Sequence, residues 1–260
     1  MDVQKFNRDA WDRQVERGDS PWTQPYSTER IDAARNGDFQ VQLTLFKPTP
    51  ADWFPDMQGI DLLGLASAGG QQGPLFAAAG ANVTIIDNSP KQLAQDRFVA
   101  ERDGLDITTI LGDMADLSQF ADESFDIVFN PGSTMFVPDV NPIYAEAARV
   151  LRPGGRFMTG FMNPDQYMFD FDQHDNHKKL VVKHTKPFKS LDLPQTERDK
   201  EFGAGSPLEF AHSLDDLIGG QVRVGLMISG FFEDDWNPAE VIMAPYLPAM
   251  FATLARKAAG

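Results

Sequence analysis

Between Gly59 and Met162 one unit recurs: a short apolar run, a turn of small or helix-starting residues, then an amphipathic segment long enough for a helix. Residues 60–65, 82–87, 107–111, 125–129 and 156–162 are the apolar runs. The segment from Leu75 to Ala79 stops at Gly80, and Ser89-Pro90 caps and opens a helix that carries Leu93 and Phe98 and ends at Gly104. Asn141-Pro142 opens another, with Ile143, Ala147, Val150 and Leu151 on one face, before Arg152-Pro153-Gly154-Gly155 turns the chain. Strands joined through helices run parallel, and parallel strands are buried on both faces. The expected architecture is therefore α/β, a mostly parallel sheet with helices above and below.

Either side of that core the pattern is less regular. In residues 1–50, Phe6, Ala10, Trp11 and Val15 recur at near-helical spacing, and Pro21-Trp22-Thr23-Gln24-Pro25-Tyr26 breaks the pattern. Ser27-Thr28 then caps a second helix ending at Gly37, and residues 39–45 alternate as a half-buried strand or an extended connector. These fifty residues are expected to form a helical cap on a domain of residues 51–260, one structural unit with a polar insertion at about 165–210. A helix over 213–229, stopped by Gly230, and strands over 231–236 and 248–254 bring the sheet to seven strands.

Composition excludes several classes. Lys plus Arg is 23 against Asp plus Glu 38, a formal charge of −15, which argues against a nucleic-acid partner and against an anionic membrane surface. There is no cysteine, so thiolate catalysis, disulfides and cysteine-ligated metals are out. The first eleven residues lack the hydrophobic stretch of a signal peptide, and no apolar run reaches membrane-helix length. A cytoplasmic location is expected; the oligomeric state is left open.

In an open parallel sheet a ligand binds beyond the carboxyl ends of the strands, near the point where strand order reverses. The turn after the first run, Ala66-Ser67-Ala68-Gly69-Gly70, has so little side chain that its backbone can approach a ligand closely. Asp87 ends the second run seventeen positions after Gly70, where an acid accepts hydrogen bonds from ribose hydroxyls. Leu111-Gly112-Asp113-Met114 ends the third with a carboxylate that can accept from an exocyclic amine and a polarizable side chain that can lie on a ring. Phe129-Asn130-Pro131-Gly132 ends the fourth with carbonyls facing the same crevice. Together they point to a nucleoside-bearing cofactor.

The run from Ile60 through Gly160, with Leu208-Glu209-Phe210-Ala211-His212-Ser213-Leu214 and Gly230-Phe231-Phe232-Glu233-Asp234 farther on, resembles class I S-adenosylmethionine-dependent methyltransferases. The likeness is to the small-molecule, type 11 branch with its ubiquinone/menaquinone-biosynthesis-like enzymes. It implies a Rossmann-like fold, S-adenosyl-L-methionine as cofactor, and methyl transfer to a small-molecule acceptor by direct displacement. It also implies Ala66, Ser67, Ala68, Gly69, Gly70 and Gln71 around the methionine and ribose, Asp87 on the ribose hydroxyls and Asn88 beside the adenine. Gly112, Asp113 and Met114 would bind the adenine edge and face, and Asn130 and Pro131 would wall the methyl group. The family's first-strand signature is an acid followed by Gly-x-Gly-x-Gly; here Gly64, Ala66, Ala68 and Gly70 stand in those places. Alanine keeps such a turn where the local dihedrals are negative, and Gln71 and Gln72 are the residues placed to compensate for the missing acid.

Asn130-Pro131-Gly132-Ser133 superficially resembles the motif of enzymes that methylate exocyclic amines in DNA, but lacks the second proline and the stacking aromatic. Displacement at a sulfonium methyl needs alignment and exclusion of water more than a base, so a missing triad does not count against an enzyme. Trp11, Trp22 and Tyr26 from the cap, with Phe161, Tyr167, Phe169 and His174 after the fifth run, are the candidate acceptor pocket; no catalytic residue is assigned. The spacing of His174 and His177 is too weak to assign a metal, and His212 precedes Ser213, a helix cap. The alternatives are a non-catalytic protein of the same fold that binds S-adenosylmethionine or S-adenosylhomocysteine and, more poorly, a nicotinamide oxidoreductase.

Overall fold

The computed structural model describes residues 1–258. Seven strands form one sheet: β1 (Asp61–Leu65), β2 (Asn82–Asp87), β3 (Ile107–Leu111), β4 (Phe125–Asn130), β5 (Leu151–Met162), β6 (Leu226–Asp234) and β7 (Met250–Lys257). Their spatial order is β3-β2-β1-β4-β5-β7-β6, with β1 to β5 mutually parallel and β7 antiparallel to both β5 and β6. The chain winds outward from β1 to β3, returns, and winds the other way from β4. Strand order therefore reverses between β1 and β4, and a crevice opens at their carboxyl ends.

Eight helices accompany the sheet among the described residues: α1 (Val3–Arg17), α2 (Thr28–Arg35), α3 (Gln72–Ala78), α4 (Pro90–Asp103), α5 (Asn141–Val150), α6 (Phe171–His177), α7 (Gln195–Phe202) and α8 (Gly220–Arg223). Side chains alternate across the sheet, giving a core on each face. Leu62, Ile85, Ile127 and Phe129 pack with Ile31 of α2, Leu75 and Phe76 of α3 and Leu93 and Val99 of α4; Leu63, Leu65, Val128 and Phe157 pack with Ile143, Tyr144 and Ala147 of α5. A smaller cluster around Tyr167, Phe188 and Ala211 holds the insertion together, beside Lys183, which bridges Glu197 and Glu201 of α7.

Of the two readings of residues 39–45 the connector holds: they join no strand, and the chain bends from Leu43 onward, with Val41 and Leu43 buried. Two expectations change. The helix expected over 213–229 is a π turn, Asp215–Gly219, followed by one turn of α8; Gly225, at φ +82°, ends it, and β6 begins at Leu226. Gly230 consequently lies inside β6, at a register shift, where a Cβ would stand 2.8 Å from the Trp53 ring. Its smallness serves close packing, not helix termination. The last two strands are also longer than expected, starting at Leu226 and ending at Lys257.

Within the N-terminal fifty residues α1 lies at the carboxyl side of the sheet, while α2 packs on α3 and α4, where Thr28 Oγ1 donates to Asp103 at the far end of α4. Asp12 on α1 accepts hydrogen bonds from Ser89 Oγ at 2.6 Å and the Lys91 amide at 3.3 Å, fastening α1 to the start of α4. The Pro21–Thr23 turn and Tyr26 cover the turn after β1: Gln71 Nε2 donates to Pro21 O and Gln24 O, both at 2.8 Å, and the Tyr26 amide donates to Gly70 O at 2.9 Å.

Candidate functional site

A cavity of about 240 Å³ lies at the carboxyl ends of β1, β2 and β4. Its floor is the set of strand-end turns. Ala66, Ser67, Ala68 and Gln71 line it from the first, Asp87 and Asn88 from the second, Asp113 and Met114 from the third, and Pro131 from the fourth. The sequence scattered these residues over 66 positions; parallel strands in register bring them to one rim.

The turn after β1 is more strained than its composition suggested. Ala66 continues the sheet, its amide donating to Ile86 O at 2.9 Å, and then takes φ +45°. The expectation that alanine works here through negative dihedrals fails at Ala66 and holds at Ala68. The chain must reverse at once to start α3, and the left-handed conformation that a glycine adopts freely is imposed on an alanine at about 1–2 kcal/mol. Gly69 at φ +124° and Gly70 at φ +74° do use glycine's freedom, but they face away from the cavity. A Cβ on Gly69 would lie 2.8 Å from Trp22 O, and one on Gly70 3.0 Å from both Gln95 O and Pro25 Cβ. Gln71 and Gln72 are spent elsewhere: Gln71 on the cap, Gln72 on the Gln42 amide.

Asp87 is buried, with Oδ1 accepting from the Ser89 amide at 2.9 Å and Oδ2 from the Ala68 amide at 3.4 Å. Burial pushes its carboxyl up to about 6, against the pull of those amides. Asp113 is held by the Ala115 amide at 2.9 Å. Gly112 does not reach the cavity; a Cβ there would meet Ile86 at 2.8 Å, so the glycine lets the turn pass over β2. Asn130 is a brace beneath the cavity, not a wall of it. Fully buried, it donates to Leu65 O at 3.0 Å and Ser133 Oγ at 2.7 Å and accepts from Thr159 Oγ1 at 3.1 Å, tying β1, β4 and β5 together.

The roof comes from elsewhere in the chain. Val3, Asn7 and Trp11 of α1, Leu43 to Leu45 of the connector, Met135 and Phe136 after β4, and Met250 at the start of β7 complete the lining. Trp11 meets Phe136 edge to face at 5.2 Å. Asn7 latches this roof: its Nδ2 donates to Phe136 O at 2.9 Å and Leu208 O at 3.1 Å, and its Oδ1 accepts the Leu208 amide at 2.6 Å.

Of the expected acceptor residues, Trp11 and Trp22 line the cavity and the others do not. Tyr26 packs on the sheet core beside Gly70. Phe161 lies in the core against Phe251, since its register on β5 points it to the α5 face. Tyr167 stacks on Phe188 and donates to Glu209 at 2.6 Å, and Phe169 pairs with Val182, both within the insertion. His174 is buried in α6 beside Asp175. The insertion folds on its own cluster instead of bending over the crevice, which removes all three residues after β5.

Sequence reasoning passed over Asn7, Thr44, Gln92, Met135 and Met250, which the cavity includes, and Asp96 beneath it. For Asp96 a signal existed: Leu93, Asp96 and Val99 share one helix face, so an acid sits in an apolar stripe. The roof residues had none. Three side-chain oxygens on the cavity residues, Thr44 Oγ1, Ser67 Oγ and Gln92 Oε1, are buried and have no protein partner.

Residues 63–159 match a family described as a methyltransferase domain. The uncharacterized methyltransferase YbaJ of Bacillus subtilis is 46% identical over 229 residues, 88% of this chain and 89% of that one. Among solved structures, an S-adenosylmethionine-dependent methyltransferase of Mesorhizobium loti is similar with a TM-score of 0.61 at 19% identity, over 79% of this chain and 94% of that one. A Burkholderia thailandensis 1,6-didemethyltoxoflavin-N1-methyltransferase, solved with 1,6-didemethyltoxoflavin and S-adenosylhomocysteine, has a TM-score of 0.57 at 14% identity over 98% of this chain and 88% of that one. These structural likenesses concern the fold.

Proposed function

The chain belongs to the class I S-adenosylmethionine-dependent methyltransferases, and from that premise we propose that it methylates a small, largely apolar acceptor held between the strand-end turns and the N-terminal cap. The observation that carries this reading is the division of one cavity into two chemical halves. The Asp87 and Asp113 carboxylates lie at the floor; tryptophan, phenylalanine, methionine and leucine form most of the roof.

The floor fits the cofactor. Asp87 would accept from the ribose hydroxyls, Asn88 would flank the adenine, and Asp113 with Met114 would take its edge and face. Ala66 to Ala68 would surround the methionine part. When bound, S-adenosylmethionine supplies a methyl group on a positively charged sulfur, ready for displacement. Pro131 and the aromatic roof would align the acceptor and keep water out. Among the described residues the roof side chains that line the cavity are not titratable, so the acceptor attacks with an electron pair it already exposes. No feature of the site favours a non-catalytic binding protein.

The cap, residues 1–50, is proposed as a roof over the domain of residues 51–260 and not as an independent unit. No helix among the described residues is long and apolar enough to cross a membrane. The negative charge disfavours a nucleic-acid acceptor, and the cysteine-free composition suits a cytoplasmic enzyme. The deciding experiment is calorimetric titration with S-adenosylmethionine, S-adenosylhomocysteine and NAD, on the wild type and Asp87→Ala. Micromolar binding of the first two, lost in the variant, is expected; binding of NAD alone would sink the reading. Turnover against a panel of apolar amines and thioethers, whose lone pairs need no deprotonation, with phenols and thiols as the contrast, then identifies the acceptor.

A further inference from the structure

We infer that Asp96, an acid on α4 that does not line the cavity, is a positioning residue that fixes the cofactor loop from beneath, in place of the acid that the end of β1 lacks. The inference rests on the cofactor reading. Asp96 is fully buried, its Oδ2 accepting from the Gly69 amide at 3.2 Å and its Oδ1 from the Gly70 amide at 3.1 Å. Two consecutive N–H groups can converge on one side chain because both glycines take positive φ. The cap closes the same loop from outside, through Tyr26 and Gln71. The loop is thus clamped on two sides, and Asp96 is one jaw.

Position 64 cannot perform this task. A Cβ there would lie 2.3 Å from Ser67 Oγ and 2.6 Å from Ile85 Cδ1, so the strand end has room for glycine alone while Ser67 keeps its place. Asp96 approaches from the adjacent helix, past Gly73.

The charges around Asp96 leave it without a hydrogen-bonded cation. Asp87 faces it from β2, Asp12 stands beyond on α1 and is engaged by Ser89 and Lys91, and the neighbouring Arg97 donates to Thr109. Burial pushes the Asp96 carboxyl up to about 8 despite its two amide donors. A buried acid without a countercharge is costly to fold around. A positively charged ligand above the loop favours its ionised form, in which both oxygens accept. Asn, with a single acceptor oxygen, leaves one glycine amide unpaired.

Asp96→Asn and the wild type should be titrated with S-adenosylmethionine and with S-adenosylhomocysteine at pH 7 and pH 9; Asp87, at about 6, titrates mostly below this window and is common to both proteins. The two ligands differ by the sulfonium charge, so their affinity ratio reads the charge beneath the loop. In the wild type, preference for S-adenosylmethionine rises by roughly threefold or more across this range. In Asp96→Asn both ligands weaken about tenfold or more and the ratio becomes flat. A variant of wild-type affinity with an unchanged pH slope overturns the proposal. If the variant does not fold, the wild-type ratio alone decides, and a flat ratio overturns it. A wild type that binds neither ligand overturns the cofactor reading and the proposal with it.

Discussion

The floor and the roof of the cavity are built by opposite means. Every floor residue stands at the end of a strand or in the turn that follows, so its position is set by a local strand-to-helix transition within one repeated unit. The roof is assembled from α1, the connector, the loop after β4 and the start of β7, held by contacts such as Asn7 to Leu208 that span most of the chain. The floor is polar and heavily hydrogen-bonded, while the roof is apolar and latched at few points. On the proposed reading the first serves the cofactor and the second the acceptor.

Substitutions in the two regions should separate cofactor binding from acceptor selection. The largest effect is expected at the floor: Asp87→Ala removes a buried acceptor and weakens S-adenosylhomocysteine binding by about a hundredfold or more, read by calorimetry. At the latch, Asn7→Ala leaves three backbone partners unpaired and loosens α1 by about 2–3 kcal/mol. Limited proteolysis within the first twenty residues should accelerate, with cofactor affinity changed only about threefold or less. Undiminished protection of α1 would show that the latch does not hold the roof. Trp11→Ala should lower kcat/KM for the acceptor by about tenfold while sparing cofactor affinity; equal loss of both would dissolve the division.

A smaller, graded effect follows from pH. Asp87 and Asp96 both have carboxyls raised in the folded chain, so the folded state holds protons that the unfolded state has released. Their contribution to stability is intact below about pH 4 and erodes as pH rises through about 6 and then about 8. The melting temperature of the ligand-free protein should fall across this window, and Asp96→Asn should remove the upper part of the slope. The smallest effect is at Ala66, where glycine relieves the positive φ at a cost in unfolded-chain entropy, for a net gain of about 0.5 kcal/mol or 1–2 °C in Tm. A loss of stability there would mean that the methyl group of Ala66 packs usefully in the cavity wall.

The strand-end residues were legible because a parallel α/β unit puts its turns where ligands bind, and Asp87 and Asp113 fall at the expected places. Gly69 and Gly70 were legible as special backbone positions, but not in their direction: composition does not reveal that their amides turn toward Asp96. Asn130 shows the same limit, since a polar residue at a strand end can face the ligand or brace its neighbours, and the partners that decide lie on β1 and β5. Trp11 and Trp22 line the cavity while Phe161, Tyr167 and His174 do not, a distinction that aromatic or titratable character alone cannot make.

What the sequence determined by itself is therefore the repeated strand–helix core, the place of the cavity at its carboxyl edge and most of the strand-end residues that line it. These follow from short-range periodicity and turn chemistry, which each segment carries within itself. Only the tertiary structure decided which elements close over that edge, which carboxylate supports the loop, and that the insertion folds onto its own aromatic cluster. Those choices are made by side chains far apart in sequence competing for the same buried space, and a single sequence carries no local trace of which of them wins.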